Sequence, residues 1–169
     1  MLAVDALAEL VSRDLDATLT WVGDGPLTES VRAHATARGV VGRLRMPGRL
    51  DDDGVSRELN AANMFLLPTQ GDNFCVVAAE ALVHGRPIVS GAATGAVDYS
   101  APSVSRFVAT QTGPAYADAI QDLALSTRGV SADTVAATVA DRFSPRTVRA
   151  ALTKIYERLI VPGSGEHAG

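Results

Sequence analysis

A chain of 169 residues, 47% hydrophobic and 20% charged, has the length and make-up of one soluble globular domain with a real core. Its formal charge is −4 and it has no dense Lys/Arg cluster beyond the alternating Arg43, Arg45 and Arg49; this excludes a nucleic-acid surface, which needs several closely placed cations to neutralise phosphates. The single cysteine, Cys75, excludes an intramolecular disulfide framework, and with neither a signal peptide nor the ~20-residue apolar run that spans a bilayer, the expectation is a cytoplasmic protein.

Taken in order, Ala3, Leu7, Leu10 and Val11 predict a helix over Leu2 to Arg13, and a strand follows from Ala17 to Val22. Gly23-Asp24-Gly25-Pro26 is a tight turn, with Pro26 suited to open a helix that runs from Leu27 to Arg38 and stops at Gly39. Arg43 to Met46 reads as the next strand. After a turn at Pro47-Gly48, Asp51-Asp52-Asp53 open a helix carried by Val55, Leu59 and Ala62, acids being favoured at the positive end of the helix dipole.

Met64 to Leu67 form a short apolar strand ended by Pro68, and Thr69 to Asp72 are turn formers. Phe74, Val77, Ala78, Ala81 and Leu82 then mark the buried face of a helix capped by Asp72 or Asn73 and closed by Gly85, before a buried strand at Pro87 to Ser90. Gly91 to Ala101 reads as loop, Arg106 to Ala109 as the last strand, and Pro114 to Leu125 and Ser131 to Arg142 as helices. Ser144 and Pro145 cap a final helix striped by Val148, Leu152, Ile155 and Leu159. One domain is therefore expected over 1–160, with a disordered tail at 161–169.

Strand and helix alternating at ~20-residue spacing is the pattern of a Rossmann-like, doubly wound parallel sheet, which binds ligands at the carboxyl ends of its strands. Asp72 falls at such an end. The free N–H groups and dipole of the helix that follows favour an anion there, with Asn73, Phe74 and Cys75 supplying amides. On the helical wheel Asn73, Val76, Glu80 and Val83 lie away from the apolar face, so Glu80 projects above the strand ends. Two carboxylates eight positions apart then bracket a phosphorylated, hydroxyl-rich ligand.

Pro68, Thr69, Asp72, Phe74, Glu80, Ala81, Gly85, Pro87, Ile88 and Val89 match the donor-binding segment of a known family, which reads roughly P-S-x-x-E-G-F-G, six residues, E-A-x-A-x-G-x-P-V-V. Val22 to Pro26, Gly48-Arg49 and Phe143-Ser144 match three of its other steps in the same order. The chain thus resembles the carboxy-terminal, nucleotide-sugar-binding domain of retaining GT-B glycosyltransferases, glycosyl transferases group 1, family 4. The resemblance implies one half of a GT-B fold that lacks the first strand of that half, together with its G-R…K-G phosphate clamp. It also implies loss of the amino-terminal, acceptor-binding half, unpaired strand edges, and weak catalysis by the chain as it stands.

By the same resemblance, a UDP- or GDP-sugar is the partner, and the sugar passes to an acceptor hydroxyl with retention. Asp72 faces the donor sugar as the catalytic acid residue, and Glu80 accepts hydrogen bonds from the ribose diol. Asn73, Phe74 and Cys75 hold the pyrophosphate, and Gly48 and Arg49 lie near the base. No metal or other cofactor is implied. The residues alone leave plainer readings open: Asp72 as a helix cap, Glu80 as a solvated helix position, and Asp51 with Asp53 as dipole partners rather than a metal-binding D-x-D. Alternative functions are a nucleotide-sugar epimerase or phosphorylase, or a noncatalytic nucleotide- or partner-binding module. Association with a membrane face is left open.

Overall fold

The computed structural model describes residues 1–160, and its strands are parallel throughout, as an unbroken alternation of strands and covering helices requires. Helix α1 (Leu2–Ser12) leads to β1 (Leu19–Val22), α2 (Thr28–Ala37), β2 (Leu44–Gly48) and α3 (Asp52–Ala61). Then come β3 (Phe65–Leu67), α4 (Val76–Val83), β4 (Ile88–Gly91), α5 (Ala96–Tyr99), β5 (Ser105–Val108), α6 (Gly113–Ser126), α7 (Ala132–Ala137) and α8 (Pro145–Ile160).

Period-two alternation assigns each strand residue to a face. In the sheet β3-β4-β5, Phe65, Leu67, Ile88 and Phe107 pack with α4 and α7, through Ala78, Ala81, Leu82 and Val135. Met64, Leu66, Val89 and Val108 pack on the opposite face with Ala6 of α1 and Tyr116 and Leu123 of α6. Helices therefore cover both faces, which is the doubly wound arrangement. Strand β4, paired on both edges, is buried along its whole length, whereas every residue of β3, paired on one edge, is only half-buried.

A separate sheet pairs β1 with β2, and a third apolar cluster joins Leu19, Trp21, Leu44 and Met46 to Val4 and Leu7 of α1 and Val31 and Ala35 of α2. Helix α1 thus spans the two sheets, with Val4 and Leu7 in one core and Ala6 in another. A single sheet was expected. Instead the strands divide between two sheets, and β1, β2, β3 and β5 each have one edge without a strand partner among the described residues.

Most element boundaries move by one to three residues, and four differences are physical. Val41–Arg43 is a 3-10 turn rather than the start of a strand, and β2 runs on through Pro47 to Gly48. The stretch expected to be loop at Gly91 to Ala101 holds the single-turn helix α5. The helix expected over Ser131 to Arg142 is only α7, capped by the Ser131 hydroxyl, which accepts from Thr134 N–H at 3.1 Å. Phe74 and Val77, placed on the buried face of α4, are exposed: Phe74 precedes the helix, which begins only after Cys75, and Val77 lies in its open first turn. The tail expected at 161–169 lies outside the described residues. Among those residues no helix is long and apolar enough to cross a membrane.

Candidate functional site

At the carboxyl end of β3 the chain turns and lies along the segment that follows β4. Asp72 N–H donates to the Ala93 carbonyl at 3.2 Å, and Gly95 N–H donates to the Asp72 carbonyl at 3.0 Å, so Asp72 and Thr94 form a one-residue parallel bridge. This approach demands glycine twice. A Cβ on Gly91 would stand 2.0 Å from the Thr69 carbonyl oxygen, and one on Gly95 2.0 Å from that of Asn73, both inside van der Waals contact.

The Asp72 carboxylate then organises the approach to α4. Its Oδ1 accepts from Phe74 N–H at 3.2 Å and from Cys75 N–H at 2.5 Å, which makes it a cap for the turn before the helix rather than for the first helical residue. Cys75 is the N-cap and takes the left-handed conformation, φ 61° and ψ 58°, at a cost of roughly 1–2 kcal/mol for a residue with a Cβ. Its carbonyl accepts from Ala78 N–H at 3.0 Å and from the buried Tyr99 hydroxyl at 2.6 Å. Burial pushes the Cys75 thiol and the Tyr99 hydroxyl above their ordinary pKa values, so both stay protonated at neutral pH.

Among the described residues the N–H groups of Asn73, Val76 and Val77 have no partner, while those of Phe74 and Cys75 are taken by Asp72. Of the three amides expected to be open, that of Asn73 is; the open donors of the first turn of α4 itself are those of Val76 and Val77. An anion at the mouth of α4 would meet these two N–H groups and the positive end of the helix dipole. Asn73 and Phe74 are exposed beside them, and Phe74 stacks with Tyr99 and Phe143 at ring-centroid distances of 5.3 and 5.7 Å.

Glu80 lies on the exposed side of α4 with Val76 and Val83, about 6 Å along the axis from Val76, and its carboxylate makes no hydrogen bond or ion pair among the described residues. Gly48 ends β2 with φ 80°, and its carbonyl accepts from Gly23 N–H at 2.9 Å, which joins the two glycine turns at the carboxyl ends of β1 and β2. Arg49 follows, exposed and outside any ion pair among the described residues. Asp72 through Cys75 are thus one constellation with Glu80 a turn above it; no hydrogen bond joins the Gly48–Arg49 turn to them.

Asp51 is committed to capping α3, its Oδ1 accepting from Gly54 N–H at 2.8 Å, and among the described residues no three His, Cys, Asp or Glu side chains gather as a metal cage. Sequence reasoning missed Tyr99, Val76, Val77, Gly91 and Gly95. The two glycines in a Gly/Ala/Ser-rich stretch were the available signal for close backbone approach. Nothing local marks Tyr99.

The comparisons with known proteins agree with this architecture. The family model for glycosyl transferases group 1 matches residues 1–126. The 2-deoxystreptamine N-acetyl-D-glucosaminyltransferase of Streptomyces fradiae is 31% identical over 157 residues, 88% of this chain and 36% of that enzyme. The 2-deoxystreptamine glucosyltransferase of Streptomyces kanamyceticus is 30% identical over 96 residues, 57% of this chain and 25% of that enzyme. Among solved structures, sucrose-phosphate synthase from Thermosynechococcus elongatus superposes with a TM-score of 0.75 at 21% identity, covering 92% of this chain and 42% of that one. Anabaena HepE in complex with UDP gives 0.74 at 19% identity, covering 93% and 44%. The chain spans a quarter to about a third of these curated relatives and less than half of these solved structures. The family match over 1–126, the parallel doubly wound fold and the GT-B structural neighbours lead to one conclusion: this chain belongs to the glycosyl transferases group 1 family.

Proposed function

We propose that the chain is the donor-binding half of a retaining glycosyltransferase, which takes a sugar from a nucleoside diphosphate and passes it to an acceptor hydroxyl. The observation that carries this reading is the mouth of α4, where two open N–H groups, a helix dipole and an exposed carboxylate meet at the carboxyl end of a parallel strand. The solved neighbour described as a complex with UDP and glucose supports a nucleoside diphosphate at such a fold.

In this reading the pyrophosphate lies over Val76 and Val77 N–H, with Asn73, Phe74 and Cys75 forming the turn beneath it. Glu80, an acceptor-only carboxylate, takes two hydrogen bonds from the ribose diol. The base lies toward Met46 to Arg49. Asp72 faces the sugar, and its charge stabilises the positive charge that develops at the anomeric carbon as the leaving phosphate departs. The dipole of α4 offsets part of the leaving-group charge, and the reading calls on no metal. Transfer itself requires an acceptor held against the donor, which is the work of a second half.

Titrating UDP-glucose and GDP-mannose into the chain by calorimetry tests the reading: saturable binding by one of them is expected, and no binding by a folded sample overturns it. Glu80→Gln tests the ribose contact. Replacing one carboxylate oxygen by an NH2 donor removes an acceptor for the diol and should weaken nucleotide binding ~5–10-fold. Unchanged affinity would return Glu80 to an ordinary solvated position.

A further inference from the structure

We propose that Tyr99 is a positioning residue that aims the Val76 N–H at the bound phosphate by holding the Cys75–Val76 peptide plane; this rests on the donor-site reading above. The Cys75 carbonyl and the Val76 N–H belong to one planar peptide unit and point in opposite directions. Fixing the carbonyl therefore fixes the donor. The Tyr99 hydroxyl donates to that carbonyl at 2.6 Å from a side chain that is 5% exposed and packed against Phe74 and Phe143.

The arrangement has something to hold. Cys75 is left-handed although its Cβ disfavours that conformation, and relaxation of φ and ψ to the ordinary region would swing the carbonyl off Tyr99 and turn the Val76 N–H away from the helix mouth. The other side of the residue is pinned too, since Cys75 N–H donates to Asp72 Oδ1. Asp72 and Tyr99 thus clamp Cys75 from its two peptide groups. Tyr99 itself sits on α5, whose lead-in at Gly95 touches the Asn73 carbonyl, so the helix and the turn it braces are held in register by backbone contact.

The test uses the full chain with UDP as probe. Tyr99→Phe keeps the ring and deletes the donor, so UDP affinity should fall ~2–10-fold, with a shifted and faster-exchanging Val76 amide. Cys75→Gly lets position 75 reach positive φ without a Cβ penalty, whereas Cys75→Ala keeps that penalty and removes only the thiol. The loss from Tyr99→Phe should therefore shrink in the Cys75→Gly background and persist in the Cys75→Ala background. A merely structural hydroxyl would give equal losses in both, and that outcome, or an unchanged Val76 amide with unchanged affinity, overturns the proposal. If the unsubstituted chain binds no UDP, the donor-site reading fails instead. The clamp is then decided by the Val76 amide and the Cys75 HN–Hα coupling in the same variants: no change on Tyr99→Phe overturns it, and a change that Cys75→Gly abolishes upholds it.

Discussion

Asp72 shows how one carboxylate divides its work. Oδ1 accepts from two backbone N–H groups and organises the turn, while the side chain as a whole stays exposed at the strand end. Asp72→Ala should lower stability by about 1 kcal/mol through the lost cap, whereas Asp72→Asn, which keeps an acceptor oxygen, should cost less than half of that; urea denaturation measures both. The placement of Asp72 in the turn after β3 and of Glu80 on the exposed side of α4 was legible, because turn residues and helical spacing carry it. The left-handed Cys75 was not, since nothing local forces a cysteine to positive φ: Asp72 and Tyr99 impose it from either side, and Tyr99 is 24 residues away. That single backbone choice also broke the helical wheel, so that Phe74 was never on the helix whose face it was assigned to. The same residues set an alkaline limit. Burial raises the folded-state pKa of Cys75 above 9.0 and that of Tyr99 above 10.0, so the folded chain keeps protons that the unfolded chain releases. Their contribution to stability is complete below pH 9 and is lost as pH rises above it. Denaturation midpoints should therefore fall from about pH 9 upward, with the first part of the fall absent in Cys75→Ala.

Among the elements, α1 has the most to answer for. It places Val4 and Leu7 in the core shared with β1 and β2 and Ala6 in the core shared with β4 and α6, so it ties together two sheets that have no strand pairing between them. Its helical stripe was readable from the chain, but its use of adjacent faces for different cores was not, because periodicity reports that residues are buried and never against what. Leu7 is 3% exposed. Leu7→Ala should cost ~2–5 kcal/mol by chemical denaturation, at the upper end if the cavity between α1, α2 and β1 cannot collapse. At the other end of the chain α8 presents the opposite case. Val148, Leu152 and Ile155 of its foreseen stripe are there, yet from Pro145 to Arg158 every side chain is exposed, so the apolar face has no partner among the described residues.

On the scale of the whole molecule, the division into β1-β2 and β3-β4-β5 leaves β1, β2, β3 and β5 each with one edge that has no strand partner among the described residues; β1 and β3 bear two of these four edges. The strand and helix pattern foretold parallel pairing but not the break, because single-chain periodicity does not reveal which strands are neighbours. Half the backbone groups of an edge strand point away from its one partner and bond only to water, whereas those of β4 are paired on both sides. Amide hydrogen exchange followed by NMR should separate them. The inward amides of β3 and all amides of β4 should exchange slowly and together, while the outward amides of β1 and β3 exchange at rates near those of exposed loops. Free parallel edges also invite pairing with further copies, so the fast-exchanging set should gain protection as the protein concentration is raised. Slow exchange at every β1 and β3 amide in a dilute monomer would mean that the two sheets close against each other in solution, and the open edges would then be no part of the molecule.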